Sequence, residues 1–177
     1  MTRVAVLVHL LEMHVASDER EEADRCAMLR LAQELGDPLS RSEPSAHFTA
    51  SAFVVDETGA RTCLVQHVKL DRLLQPGGHV EPSDISLEAA ALREAREETA
   101  LEVELHPDAP RPFDLDIHEI PERPGEPAHF HLDVRYLVVG RGDPCEGAEW
   151  YAIGEAGDES VSRLAEKALS FESPAAT

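Results

Sequence analysis

Apolar residues recur every three to four positions in several stretches of this chain, which is the spacing of an amphipathic helix. The first stretch covers residues 4–15, and the second begins at Asp18 or the residue before it and ends near Leu35. A third helical pattern starts at Ser86, and the last covers residues 159–171. We therefore predict a helix from each stretch, two of them at the start of the chain.

Between these helices, runs of β-forming residues and strict apolar–polar alternation predict strands. Two of the runs flank a turn at Gly59 and predict a hairpin, and residues 69–75 behind it are expected to be a loop. The longest alternating run, residues 128–139, places its even-numbered residues toward the core and its odd-numbered residues on the other face. The predicted strands are residues 47–55, 62–68, 101–105, 113–120, 128–139 and 149–153.

Composition narrows the classes of protein to which the chain can belong. Its 177 residues, 42% of them hydrophobic, suit one globular domain with its own core. The net charge of −19 repels a nucleic-acid backbone, and the first apolar run is too short to span a bilayer, so we expect no nucleic acid and no membrane as partner. Cys26, Cys63 and Cys145 match neither a disulfide framework nor a zinc-ribbon spacing, which predicts reduced thiols and a cytoplasmic location.

An acidic strip on the third predicted helix is the first feature that points to chemistry. Glu94, Glu97 and Glu98 stand at positions i, i+3 and i+4, which places three carboxylates on one side of the helix. Like charges at this spacing cost a few tenths of a kcal/mol per pair, so folding alone does not favour them. Hard divalent cations prefer carboxylate oxygens that converge from one side, and the strip follows a glycine-rich turn at Gly77 and Gly78. The pattern predicts a metal site for diphosphate chemistry.

The same stretch resembles the Nudix box, the loop-and-helix signature of the Nudix hydrolases, and its core REAREE, residues 93–98, matches in full. The chain differs from the Nudix box in three ways. Asp84 stands where the family has Glu, eight residues rather than seven separate it from Arg93, and Ala100 replaces the closing Gly. We expect the extra residue to be absorbed before the helix, because within it every later side chain would rotate by about 100°. We expect the turn at Ala100 to avoid a left-handed residue or to tolerate one at a cost of about 1 kcal/mol. The matching positions are Gly78, Asp84, Arg93, Glu94, Ala95, Glu97, Glu98, Ala100 and Leu101.

The resemblance implies an α+β fold, namely a Nudix-type α/β/α sandwich around a mixed β-sheet with an N-terminal helical extension. We expect a single Nudix hydrolase domain over residues 1–177, in which residues 1–45 are the helical extension and a linker and residues 46–172 are the core. The extension could cover the pocket, serve the interface of a homodimer, or only extend the core.

The resemblance also implies an activity, the metal-dependent hydrolysis of a diphosphate linkage in a nucleoside diphosphate joined to another group. The cofactor would be Mg²⁺ or Mn²⁺, and the partner a small-molecule diphosphate substrate. Carried over position by position, the family's roles place the metal on Glu94, Glu97, Glu98 and the carbonyl of Gly78, with Arg93 orienting a glutamate. We predict Glu98 as the central ligand and Glu97 as the base that helps to deprotonate water.

Other polar residues around the box are candidates for contact with the substrate. His79 could bind phosphate or cap a loop, and Lys69 and Arg72 precede the box. His129 and His131 could form a second metal site, or belong to a polar strand face that lines a pocket or water. The predicted substrate-binding residues are His79, Lys69, Arg72, His131, Asp133 and Arg135.

Two other functions stay open at this point. An isopentenyl diphosphate isomerase-like enzyme shares the sandwich and would need a cysteine and a metal-binding histidine cluster at the pocket, for which Cys63 is a candidate. The other alternative is a nucleotide-binding module with an inactive site, which the altered spacing of the box suggests.

Overall fold

The structure is a computed structural model that describes residues 2–67 and 71–172. The helices in this part of the chain are α1 (Arg3–Met13), α2 (Glu19–Glu34), α3 (Leu87–Thr99) and α4 (Glu159–Glu172). The strands are β1 (Ala46–Val55), β2 (Arg61–His67), β3 (Arg72–Leu74), β4 (Gly77–His79), β5 (Glu102–Leu105), β6 (Asp114–Ile120), β7 (His129–Arg141) and β8 (Ala148–Ala152). None of these helices is long and apolar enough to cross a membrane.

The described strands form one mixed sheet, as expected from the sequence. Its central path runs β3-β2-β1-β7-β5, while β4 pairs with β1, β6 with β7 and β8 with β2. β1 and β7 run parallel over ten residue pairs, from Ala46 opposite Phe130 to Val55 opposite Val139, and the other pairings are antiparallel. A parallel pair needs a crossover connection, and the chain between these two strands contains α3.

Helices cover both faces of this sheet, which confirms the predicted helix–sheet–helix layers. The even-numbered apolar residues of β1 and β7 share one buried cluster with α1, α2 and α3. Odd-numbered residues of the same strands, Phe53, Val55 and Leu137, pack in a second cluster with α4. The side chains that α4 buries there are Val161, Leu164, Ala165 and Ala168.

The helical extension packs directly on the core. Leu7 and Leu11 of α1 and Met28 and Ala32 of α2 are at most 2% exposed and belong to the same cluster as α3. The Asp18 side chain caps α2 by accepting the N–H of Glu21 at 2.8 Å, as the sequence predicted. The extension therefore continues the core, and the cleft described below shows that it also reaches the box.

Three details of the sequence prediction were wrong. Gly77 and Gly78 were expected to form a turn, but they belong to strand β4 and pair with β1. Residues 69–75 were expected to be a loop, but Arg72–Leu74 pairs with β2 as strand β3, while residues 68–70 lie outside the described part of the chain. Phe130 was expected to face the core and is 47% exposed. β3 is too short to show a period, and Phe130 is the second residue of its strand and lies outside the buried cluster.

Candidate active site

Strand β4, which we call the glycine strand because it contains Gly77 and Gly78, pairs with β1 and forms one side of the candidate site. Gly77 and Gly78 of β4 pair with Ser51 and Ala50 of β1. A Cβ on Gly77 would collide with the Ser51 side chain and lie 2.7 Å from its Cα. A Cβ on Gly78 would lie 2.5 Å from Oε1 of Glu94. The strand pairing therefore leaves no room for a side chain at Gly77, whereas a side chain at Gly78 would have to displace the Glu94 carboxylate.

Helix α3 holds the acidic strip against this strand. Ser86 caps the helix, and its Oγ accepts the N–H of Ala89 at 3.1 Å. The Glu98 side chain reaches back to β4, where its Oε2 accepts the N–H of Gly77 at 3.0 Å. The face of α3 that packs on the sheet contains Leu87, Ala90, Ala91, Ala95 and Thr99. Small residues on that face let the helix approach the sheet and leave the glutamates beside the glycine strand.

Arg93 ties the helix to the loop before it. Its Nε and Nη2 donate to the two carboxylate oxygens of Asp84 at 3.1 and 2.9 Å, and Nη2 also donates to the carbonyl of His79 at 3.0 Å. Its Nη1 donates to Glu94 at 2.8 Å and to Glu97 at 3.2 Å. Asp84 lies before Ser86, the residue that caps α3, and the helix has no break after this cap. The extra residue between Asp84 and Arg93 therefore does not change which face of the helix the three glutamates occupy.

The carboxylates of the strip are crowded and partly desolvated. Burial raises the pKa of Glu98, and the charges of Glu94 and Glu97 raise it further, although the Gly77 N–H opposes this shift. Burial likewise raises the pKa of Glu94 against the opposing effect of Arg93. Glu97 is more open, with 59% of its side chain exposed. A divalent cation bound by these carboxylates would relieve the repulsion between their charges, because hard cations prefer carboxylate oxygens.

Ala100 closes α3 in the left-handed conformation, with φ 59° and ψ 11°, and its N–H donates to the carbonyl of Arg96 at 2.9 Å. Of the two outcomes expected for this turn, the chain therefore adopts the strained one. An alanine in this conformation costs roughly 1–2 kcal/mol relative to its right-handed form.

A cleft of about 640 Å³ opens beside Gly78 and Glu94. Residues 78–82 form one wall, and residues 39–42 of the linker, with Arg3 of α1, form another. Arg3 donates to the carbonyl of Glu81 at 3.2 Å. This hydrogen bond joins the extension to the loop between β4 and α3, which we call the box loop. Arg3 and Arg41 bring positive charge to an otherwise acidic site. Sequence reasoning missed both, because neither belongs to a motif or lies near the box in the sequence.

Histidines gather where β1, β4, β6 and β7 meet. We define the histidine cluster as His47, His79, His118, His129 and His131, whose neighbouring rings lie 4.9–5.4 Å apart between centroids. Burial lowers the pKa of His47, and it lowers the pKa of His79 to about 4, with the neighbouring imidazoles contributing to the second shift. Burial also places the pKa of His131 well below its usual range. These three side chains are therefore neutral near pH 7.

The other predicted contacts to the substrate are not brought together in the cleft. Arg135 is 1% exposed and donates to Asp133 at 3.0 Å and to Asp114 and Asp116 at 3.3 and 2.8 Å. Arg72 lies on the surface, 3.7 Å from a carboxylate oxygen of Asp158. Lys69 lies outside the described residues. Direct contact between these side chains and a substrate stays a prediction, whereas His79 does line the cleft.

The cysteines do not complete an isomerase site in the described part of the chain. Cys63 is buried in β2, and burial raises the pKa of its thiol to about 12. Cys145 donates its Sγ–H to the carbonyl of Glu98 at 3.3 Å, and Cys26 is exposed on α2. The described residues that line the cleft include no cysteine. The described part of the chain thus has a histidine cluster beside the cleft but no cysteine that lines it.

Comparison with known proteins agrees with this geometry. A family model described as the NUDIX domain matches residues 45–169. A NUDIX-family hydrolase from Clostridium perfringens superposes with a TM-score of 0.57 at 24% identity, covering 72% of this chain and 98% of its own. An Ap4A hydrolase from C. elegans superposes with a TM-score of 0.53 at 16% identity, covering 71% and 98%.

A further structure extends the similarity to the N-terminal part of the chain. A UDP-X diphosphatase superposes with a TM-score of 0.51 at 14% identity and covers 96% of this chain and 93% of its own, which is more than residues 45–169 alone. At these identities the structures show the fold and no more. No curated protein matches the chain.

Proposed function

Because the chain belongs to the Nudix hydrolase family, we propose that it uses a divalent metal to hydrolyse a diphosphate linkage in a nucleoside diphosphate joined to another group. One observation carries the proposal, namely the convergence of the acidic strip on the glycine strand. Glu98 is hydrogen-bonded to Gly77, and Glu94 lies so close to Gly78 that no side chain fits between them.

The donor atoms at this place fit Mg²⁺ or Mn²⁺. Glu94, Glu97 and Glu98 offer carboxylate oxygens, and the Gly78 carbonyl is the further ligand that we propose. These are hard oxygen donors on one side of a helix. Burial and the charges of neighbouring glutamates raise the pKa of Glu94 and of Glu98, although Arg93 opposes this at Glu94, so a bound cation would be favoured there. Glu98 is our proposed central ligand because it is held to β4 at a fixed position.

We propose a separate role in hydrolysis for Glu97 and for Arg93. When bound, a divalent cation neutralises the charge of the diphosphate and lowers the pKa of a bound water. Glu97, the most open of the three glutamates, accepts the proton of the attacking water in our proposal. Arg93 is a positioning residue, since its hydrogen bonds to Asp84, Glu94 and Glu97 hold the loop and the strip in one arrangement.

Arg3 and Arg41 supply the positive charge that a diphosphate needs besides the metal. Both line the cleft next to Gly78 and His79 in a chain with a net charge of −19. Guanidinium groups bind phosphate oxygens through paired N–H donors, so we propose that these two arginines attract and orient the diphosphate.

A substrate panel with Mg²⁺ tests the proposal. Release of phosphate or monophosphate is measured from nucleotide sugars, nucleoside triphosphates, dinucleotides and ADP-ribose. Glu98→Gln is expected to reduce the rate by more than the roughly 10–100-fold that loss of an outer partner of a metal ligand costs. The matched control is Glu102→Gln, an exposed glutamate just beyond the helix, which should keep the wild-type rate. An unchanged rate in Glu98→Gln would refute the assignment.

Two further assays, with isopentenyl diphosphate as substrate and by calorimetry, separate the competing functions. Isopentenyl diphosphate that keeps its diphosphate and shifts its double bond would support an isomerase, which the histidine cluster alone favours. Calorimetry that shows tight nucleotide binding without turnover, unaffected by removal of Mg²⁺, would support a binding module.

A further inference from the structure

We propose that His47, His79 and His131 form a second metal site, separate from the acidic strip, that binds a transition-metal dication such as Zn²⁺ through imidazole nitrogens. Their ligand atoms lie within 4.8 Å of one another. They come from three strands, because His47 is opposite His131 in the parallel pairing of β1 with β7, and His79 is opposite Thr49 in the pairing of β1 with β4. The sheet itself therefore brings the three rings together.

His47 has the hydrogen bonding of a metal ligand. Its Nδ1 lies 3.3 Å from the carbonyl oxygen of Glu43, and because a carbonyl only accepts, Nδ1 carries the proton. The lone pair of the neutral ring is then on Nε2. That atom is buried and has no hydrogen-bond partner, in a residue that is 2% exposed. A metal ligand typically donates its other ring N–H to a backbone carbonyl in this way, which fixes the tautomer.

The same argument assigns which ring nitrogen carries the proton in His129 and in His131. Nδ1 of His129 lies 2.9 Å from the carbonyl of Pro127 and must donate to it, so Nε2 of the neutral ring accepts. That Nε2 lies 3.3 Å from Nε2 of His131, which is then the donor. The lone pair of His131 is consequently on Nδ1. His129 thus acts as a neighbour that orients His131 and leaves one of its nitrogens free for a metal.

The spacing of the nitrogens requires only a small adjustment. In tetrahedral zinc with Zn–N bonds of about 2.0–2.1 Å, ligand nitrogens lie about 3.3 Å apart. Closing 4.8 Å to that value moves each atom by less than about 1 Å, which ring rotation supplies. His79 is only half-buried and lines the cleft, so an ion can enter from that side and a fourth position remains for water or a ligand.

The chemistry of the donors distinguishes this site from the strip. Imidazole nitrogens favour Zn²⁺, Co²⁺ and Ni²⁺, while Mg²⁺ prefers carboxylate oxygens and water. A different explanation is a purely structural cluster of mutually hydrogen-bonded neutral histidines. Such a cluster leaves no reason for the unpartnered Nε2 of His47, because a buried polar atom without a partner is costly.

Cobalt binding to the full chain tests the site without an activity assay. After treatment with chelator, the protein is titrated with Co²⁺ and the visible absorption of tetrahedral cobalt is followed, and Zn²⁺ is then added in competition. We expect one equivalent of tetrahedral Co²⁺, whose visible absorption is removed by Zn²⁺ and not by Mg²⁺. His47→Gln and His79→Gln should each weaken binding by more than about 100-fold. His9→Gln, an exposed histidine of α1, is the matched control and should bind like wild type.

The controls make each outcome decisive. Circular dichroism shows whether the variants fold, and the half-buried His79 provides a variant that should fold even if the change at the buried His47 does not. Glu98→Gln should keep the cobalt spectrum, which separates this site from the proposed hydrolytic one. Absence of cobalt binding in the wild type, full binding in folded His79→Gln, or loss of the spectrum in Glu98→Gln would each overturn the proposal.

Discussion

Asp84→Asn tests how the box loop is anchored to the helix. Asp84 is 8% exposed, and its carboxylate accepts two N–H groups of Arg93 and the N–H of Glu81, the latter at 2.8 Å. The asparagine keeps one acceptor oxygen but removes the charge, and its amide group meets the guanidinium donor to donor. The variant should therefore lose the paired contact to Arg93 and keep the fold.

The magnitude follows from the partners that remain. Hydrogen bonds to charged groups contribute about 1.5–3 kcal/mol each, and breaking a fully buried ion pair costs about 3–5 kcal/mol. The Arg93 side chain is 20% exposed and keeps its contacts to Glu94, Glu97 and the His79 carbonyl, so its charge is not left alone. We expect a loss of about 2–3 kcal/mol in the free energy of unfolding.

The assay is urea unfolding at pH 7 and at lower pH. With a urea dependence of about 1–3 kcal/mol per molar, the midpoint of Asp84→Asn should fall by roughly 1 M. Burial would raise the pKa of Asp84, but the hydrogen bonds from Arg93 and Glu81 lower it below its usual value. Its contribution is therefore complete above the unfolded pKa near 4 and is lost as the pH falls through the folded pKa. The two proteins should converge in stability at low pH.

The control for this prediction is Asp143→Asn, which changes an exposed aspartate in the loop after β7. It should stay within about 0.5 kcal/mol of wild type, as surface substitutions usually do. If Asp84→Asn is as stable as this control at pH 7, or if its deficit persists unchanged at low pH, the ion pair does not anchor the loop.

Three further changes test other parts of the structure. Ala100→Gly removes the left-handed strain and should raise the free energy of unfolding by about 0.5–1 kcal/mol in a thermal melt, and a lower melting temperature would contradict this. Gly78→Ala should displace the Glu94 carboxylate and reduce turnover more than 10-fold, an estimate on the order of a misplaced catalytic group, whereas Gly36→Ala, with ordinary contact distances, should not. Glu21→Gln should cost about 3–5 kcal/mol at pH 7 in urea unfolding, because that buried carboxylate accepts hydrogen bonds from a lysine and a histidine, and a deficit that did not shrink toward low pH would refute this.

The sign of the pH effect at Glu21 follows from the same linkage. Burial would raise its pKa, but hydrogen bonds from His14, Lys167 and Ser17 outweigh burial and hold the pKa well below its usual value. A carboxylate with a depressed folded pKa stabilises the protein above its unfolded pKa and stops doing so as the pH falls through the folded one. The expected deficit of the variant is thus largest at neutral pH.

The long elements could be predicted because local chemistry specifies them. Asp18 and Ser86 cap the helices they precede, and the alternation along β7 sends Leu132 and Val134 to the apolar cluster and Asp133 to the other face. β3 and β4 could not be predicted, since three residues show no period and their pairing with distant strands decides their structure. Local pattern predicts an element only when that element is long enough to repeat.

The residues of the candidate site likewise differ in how far the sequence could predict them. The acidic strip was visible because its members share one helix, so their spacing in sequence fixes their spacing in space. Arg3 and Arg41 join the cleft only through the packing of the extension, and His47 meets His79 only through the sheet. No local signal connects positions so far apart. The sequence did indicate that His129 and His131 lie together, because alternate residues of a strand share a face, and their Nε2 atoms are 3.3 Å apart.

Strand β1 explains why the two proposed sites, which differ in chemistry, lie next to each other. Its residues 49–51 pair with β4, and residues 46–55 pair with β7. Both the strand that contains Gly77 and Gly78 and the strand that contains His131 are therefore neighbours of β1. The carboxylates, in contrast, reach the sheet from α3, and a hydrogen bond from Arg93 to the His79 carbonyl joins them to it. A shift of the helix would move the acidic strip, while the strand pairing would keep the imidazoles in place. The geometry of the proposed oxygen site would therefore depend on the loop and the helix, whereas that of the proposed nitrogen site would depend on the sheet.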